Sequence, residues 1–141
     1  MTAKNRKNTL PLTEALVFDI VSYLLENKGV GFSNEISYYI VDNKPRRYTS
    51  REVVGILRNR PMFRHAKTEE RQGGIKWRLD LLALEKYIVQ KGYQERCEDM
   101  KLYDNMRNLK WGQLKKTLEV MESMNPDSLD DSYEAIATIW S

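Results

Sequence analysis

At 141 residues, with 41% apolar and 30% charged side chains, the chain has the size and composition of one globular domain carrying an appended helical element. No run of about 18 apolar residues occurs, which excludes a membrane-spanning helix, and the polar, basic start (Lys4, Arg6, Lys7) lacks the apolar stretch of a secretory signal. A single cysteine, Cys97, excludes an internal disulfide, and a single histidine, His65, leaves no zinc-ligand spacing. The expected setting is the cytoplasm, without a cofactor.

Residues 1–11 are expected to form a flexible basic arm within reach of phosphate. From Thr13, the apolar positions Leu16, Val17, Ile20, Val21, Leu24 and Leu25 recur at spacings of three and four, the stripe of a buried helix face. Gly29 supplies its stop. Ser33 is the expected N-cap of a short second helix, with Ile36 and Ile40 on its inner face and at least one of Tyr38 and Tyr39 buried. Asn43-Lys44-Pro45 ends it, because proline disfavours helical geometry in the preceding residue.

Thr49-Ser50-Arg51-Glu52 is a capping box, in which the threonine hydroxyl and the glutamate three residues on satisfy each other's backbone donors. It predicts a third helix with Val53, Ile56 and Leu57 toward the core and Arg60 on the same face, closed by Pro61. Met62 to Lys67 is then predicted to pair with Ile75 to Leu79 across Thr68 to Gly74. In that hairpin Trp77 belongs to the core and His65 is structural. Asp80 caps a further helix through Leu81, Leu84, Tyr87 and Ile88, interrupted at Gly92. Residues 91–125 read as helical, with Cys97 packed in a helix or a dimer seam. Trp111, Leu114, Leu118 and Met121 repeat at three, four and three, a coiled-coil-like stripe. Asn125-Pro126 ends this region, and residues 126–141 form an acidic tail with Asp127, Asp130, Asp131 and Glu134.

Charge is distributed unevenly. Between Asn43 and Arg78 the chain has eleven Lys or Arg residues against three carboxylates, a local excess of eight, although the whole chain carries only +3. Eight of the eleven are arginine: Arg46, Arg47, Arg51, Arg58, Arg60, Arg64, Arg71 and Arg78. Arginine's planar donor fork suits phosphate and guanine edges, whereas a merely hydrated surface has no reason to favour it over lysine. A concentration of one sign of charge also steers polyanions.

A mainly α chain with a small β-hairpin, in the order helix, short helix, capped helix, hairpin, helix, resembles the winged helix-turn-helix DNA-binding family. The resemblance spans roughly Leu12 to Ile88 and rests chiefly on Tyr48 to Leu79; it implies a domain over 12–90. In that family the third helix enters the major groove and the wing touches backbone or minor groove. The resemblance therefore implies a recognition helix from Thr49 to Arg60 and a wing from Arg64 to Arg78. On the helix, Arg51, Gly55 and Arg58 align along one edge, and Arg58 and Asn59 have the chemistry for guanine and adenine edges. Arg46, Arg47, Tyr48 and Ser50 stand at the helix entry, where phosphate is favoured. Lys67, Arg71, Lys76 and Arg78 belong to the wing, although Glu69 and Glu70 would repel phosphate beside Arg71. Gly55 is explained equally well by close approach of DNA or by close packing of another helix. The C-terminal helix resembles the dimerisation helix of small winged-helix regulators and chromatin proteins of archaea, their plasmids and viruses.

The implied function is sequence-specific double-stranded DNA binding by a homodimeric transcriptional regulator, with no enzymatic activity: no phosphate-cradling glycine loop, serine elbow or metal cluster is legible. Two alternatives stand beside it, a winged-helix module that binds protein, with a partner for the acidic tail, and a module that organises DNA.

Overall fold

The computed structural model describes residues 10–43, 48–66 and 74–123, together with Ile136 and Ile139. The basic arm to Thr9, Lys44 to Arg47, the wing tip and the acidic residues of the tail lie outside the described residues. Those described are mainly helical, with one small antiparallel sheet.

α1 (Leu12–Glu26) buries Leu16, Val17, Ile20, Val21 and Leu24 on the predicted stripe. It stops where Lys28 and Gly29 take positive φ angles of 61° and 82°, and the Gly29 amide closes the helix onto the Leu24 carbonyl at 2.7 Å. Glycine accepts this left-handed geometry at little cost. The chain then enters β1 (Val30–Phe32), a strand absent from the sequence-based expectation. Three residues are too few to show a period of two, and β1 exists because β3 offers it a ladder.

α2 (Ser33–Asn43) points Ile36 and Ile40 inward. Its start departs from the expected cap. The Ser33 hydroxyl accepts the Ile75 amide at 3.1 Å, tying α2 to the sheet, while the Glu35 carboxylate takes the Phe32 amide at 3.2 Å. Tyr39 packs on Tyr23 with ring centroids 4.9 Å apart, and Tyr38 stays exposed.

α3 (Ser50–Asn59) opens on the full capping box: Thr49 Oγ1 accepts the Glu52 amide at 3.1 Å, and Glu52 accepts the Thr49 amide at 3.0 Å. Val53, Ile56 and Leu57 are buried as expected. β2 (Phe63–His65) and β3 (Lys76–Leu79) form the predicted hairpin, with Phe63 opposite Leu79 and His65 opposite Trp77. β3 is central, since β1 pairs its other edge with Gly31 opposite Trp77. Trp77 and Leu79 reach the core, and His65 meets the Trp77 ring edge-on at 4.4 Å.

α4 (Leu81–Lys91) is capped by Asp80, whose Oδ1 accepts the Ala83 amide at 3.1 Å, and it ends at left-handed Gly92. The expected helical region after residue 91 is two helices. α5 (Gln94–Asp99) ends at Met100 and Lys101, the latter with φ 56°, and α6 (Leu102–Glu122) turns away from it. Leu102 and Met106 anchor α6 in the core, and Leu109 closes over Gly29. Cys97 is fully buried within the domain core, not in a seam between chains, and burial pushes its thiol up to about 11.

Candidate nucleic-acid interface

The core stripe of α3 dictates its outer face. With Val53, Ile56 and Leu57 inward, Ser50, Arg51, Val54, Gly55 and Arg58 border one open groove of about 410 Å³. Arg51 and Arg58 are exposed and make no hydrogen bond or ion pair among the described residues. Gly55 lies between them, and a Cβ added there would meet no atom within 4 Å. The packing explanation for Gly55 therefore finds no support among the described residues: no second helix of theirs presses on it. What remains is a bare stretch of helix backbone flanked by two uncommitted guanidinium groups, with the Ser50 hydroxyl at the N-terminal end. Asn59 is exposed at the C-terminal end of the helix.

The other basic positions separate. Arg60, at the C-terminal boundary of α3, turns inward and pairs with the buried carboxylate of Glu14, Nη2 to Oε2 at 3.3 Å, while its Nε donates to the Tyr87 hydroxyl at 3.3 Å. Arg64 donates to Asp80 Oδ2 at 2.9 Å, so one carboxylate both caps α4 and holds the strand opposite. Arg78 faces Arg64 across the ladder but is half-buried, lining a groove against α1 and α6 to which no α3 residue contributes. Lys76, two residues away on the same face of β3, is partly exposed.

Two sequence-based expectations need correction. Tyr48 is 4% exposed and its ring is part of the core, because the residue before the capping box is where α3 meets the domain. Arg78 does not share a surface with α3, because side-chain alternation on β3 sends Trp77 to the core and Arg78 to the opposite face. Arg46, Arg47, Lys67 and Arg71 lie outside the described residues. The described part of the interface thus contracts to Ser50, Arg51, Gly55, Arg58 and Asn59 on α3, with Lys76 left apart on the strand face that it shares with Arg78.

A polar network missed from the sequence holds this face in place. Glu14 accepts hydrogen bonds from the Tyr87 hydroxyl and, at 3.2 Å, from the Tyr93 hydroxyl, in addition to Arg60. It joins the start of α1, the end of α3, α4 and the entry to α5. Burial, reinforced by the hydrogen bond to Glu14, pushes the Tyr87 phenol up to about 12. A signal for this was present: Glu14 stands three, four and seven residues before Val17, Phe18 and Val21, so a carboxylate interrupts a core stripe and requires a cation or hydroxyl partner.

On α6, Trp111, Leu114, Leu118 and Met121 are 63, 38, 51 and 51% exposed. They form an apolar stripe on a side of the helix that faces neither the core nor the groove beside Arg78. No helix among the described residues is long and apolar enough to cross a membrane. No group of histidine, cysteine and carboxylate side chains that could hold a metal ion is found among them. No family model matches the chain, and neither does any curated protein or solved structure.

Proposed function

We propose that the chain binds double-stranded DNA with the outer face of α3 in the major groove, as a winged-helix regulator. The observation that carries this reading is the union of two uncommitted arginines with an unpacked glycine on one capped helix. Phosphate and base edges supply the acceptors that Arg51 and Arg58 lack, and a helix without a side chain at Gly55 approaches the duplex closely. The ion pair of Arg60 with Glu14 fixes the angle at which α3 is presented and spends a cation on rigidity, not on contact.

The test is fluorescence anisotropy on duplex DNA across a salt series. A steep linear fall of log affinity with log salt is expected. Arg58→Ala is expected to lose about 1–3 kcal/mol and to relax sequence preference if it meets a base. A loss uniform across sequences would assign Arg58 to phosphate and favour a DNA-organising role. Flat salt dependence would overturn DNA binding in favour of a protein-binding module.

The exposed stripe on α6 supports a homodimer joined through that helix. A two-fold dimer would place its heads on half-sites about one helical turn apart, or a multiple of it. Light scattering that gives a monomer at high concentration would remove the dimer and leave the stripe to a different protein.

A further inference from the structure

A groove of about 670 Å³ runs between the C-terminal end of α1, the outer face of the sheet and α6. Leu25, Leu109 and Ile139 contribute apolar side chains to its lining, and Arg78 lines it as well. Arg78 is half-buried and has no carboxylate partner among the described residues, and burial alone lowers its pKa from the ordinary arginine value. Partial burial of a cation without an anion is costly, and Arg60, the inward-turned arginine at the end of α3, is by contrast paired with Glu14. Gln113 adds a second orphan of the opposite kind, an acceptor open to a hydroxyl or N–H donor. Its amide nitrogen donates to the Ile139 carbonyl at 3.0 Å, while its buried Oε1 receives no donor.

The helix beside the groove is also cut back. Gly112 sits in mid-α6, where glycine is a poor helix former, yet a Cβ there would meet nothing within 4 Å. No contact among the described residues accounts for the missing side chain, and its absence widens the groove. Lys28, Lys115 and Lys116 exceed Glu26 and Glu119 by one charge; with Arg78 the described lining residues carry a net charge of +2. That balance attracts an anion, while the two carboxylates weigh against a polyanion such as a nucleic acid backbone.

We infer that this groove binds a small organic acid, with its carboxylate on Arg78 and an apolar body held between Leu25, Leu109 and Ile139. Charge complementarity selects the head and the apolar walls select the tail. The site is independent of the α3 face, so its test needs no DNA.

Decanoate is a suitable probe, measured by calorimetry on the full chain, with decanol and acetate as controls for body and head alone. Saturable binding of one decanoate per chain is expected, with decanol and acetate each weaker by at least about tenfold. Arg78→Gln is expected to weaken decanoate by at least about tenfold and Arg78→Lys by less, because lysine keeps the charge but loses the fork. Gly112→Leu fills the groove without touching Arg78 and keeps the helix, so it is expected to abolish binding with the circular dichroism spectrum unchanged; it carries the test should Arg78→Gln fail to fold. Equal binding of decanol, equal binding of acetate, wild-type affinity in a folded Gly112→Leu variant, or no saturable binding of decanoate would each overturn the assignment. Failure of DNA binding leaves this result untouched, and Arg51→Ala is expected to leave decanoate affinity at the wild-type level.

Discussion

α3 and α6 solve the same problem in opposite ways. α3 has ten residues, a reciprocal cap at its start and three buried apolar side chains, and its far end is tied to Glu14. α6 has twenty-one residues, no side-chain cap and a left-handed entry, and its largest buried side chains, Leu102 and Met106, lie in the first turns. An isolated ten-residue helix is marginal in water, so α3 owes its existence to the cap and to packing. The two outer faces differ in kind. α3 turns cations and bare backbone outward, whereas α6 turns out a tryptophan, two leucines and a methionine. A rigid, charged face suits a polyanion; a long apolar stripe suits another apolar surface.

The sharpest way to break this contrast is to truncate a leucine on each helix. Leu57→Ala empties a fully buried site on α3 and is expected to cost about 3 kcal/mol in urea unfolding. Leu118→Ala on the α6 stripe is expected to stay within about 0.5 kcal/mol in dilute protein, where no partner covers it. A larger loss at high protein concentration would show that the stripe is covered there. Equal losses in dilute solution would mean that the stripe is already buried within one chain.

The anchoring of α3 gives a pH signature at Tyr87. Tyr87 ordinarily titrates near 10 and is pushed up to about 12 in the folded chain, so folding favours its protonated form. Its contribution is fully present below pH 10 and is lost as pH rises toward 12. Tyr87→Phe removes the titrating group, so its stability curve is expected to be flatter over that window. Coincident slopes for the two proteins would sever Tyr87 from the Glu14 network.

The smallest effect separates stability from binding. Gly55→Ala and Gly112→Ala each place a methyl group in open space on a helix, and each is expected to stabilise the fold by about 0.5–1 kcal/mol. Gly55→Ala is expected to weaken DNA binding while Gly112→Ala leaves it unchanged. Loss of DNA affinity in both, or in neither, would detach the glycine from the recognition face.

Much of this was legible from local pattern. The capping box at Thr49 and Glu52, the Asp80 cap, the stop at Gly29 and the inward Trp77 all follow from interactions within a few residues or from a period of two. The break at Lys101 left no such mark, because lysine carries no preference for a left-handed backbone. β1 escaped for a related reason: a three-residue strand exists only because β3 is already there to pair with it. Within the candidate interface, Arg51, Gly55 and Arg58 were found by helical spacing. Tyr48 and Arg78 were misplaced because their surroundings are set by distant elements, the core behind α3 in one case and α6 in the other.

Periodicity, caps and charge clustering by themselves determined where the first four helices and the hairpin lie, and which short helix carries Arg51 and Arg58. They act over a few residues, the range in which spacing translates directly into a shared face. Only the tertiary structure decided which arginines are committed to carboxylates: Glu14 lies 46 residues from Arg60, and Asp80 lies 16 from Arg64. Only it placed the guanidinium of Arg78, which has no carboxylate partner among the described residues, in a groove built from three separate elements. Partnership over such distances depends on how the helices pack, and no local pattern records it.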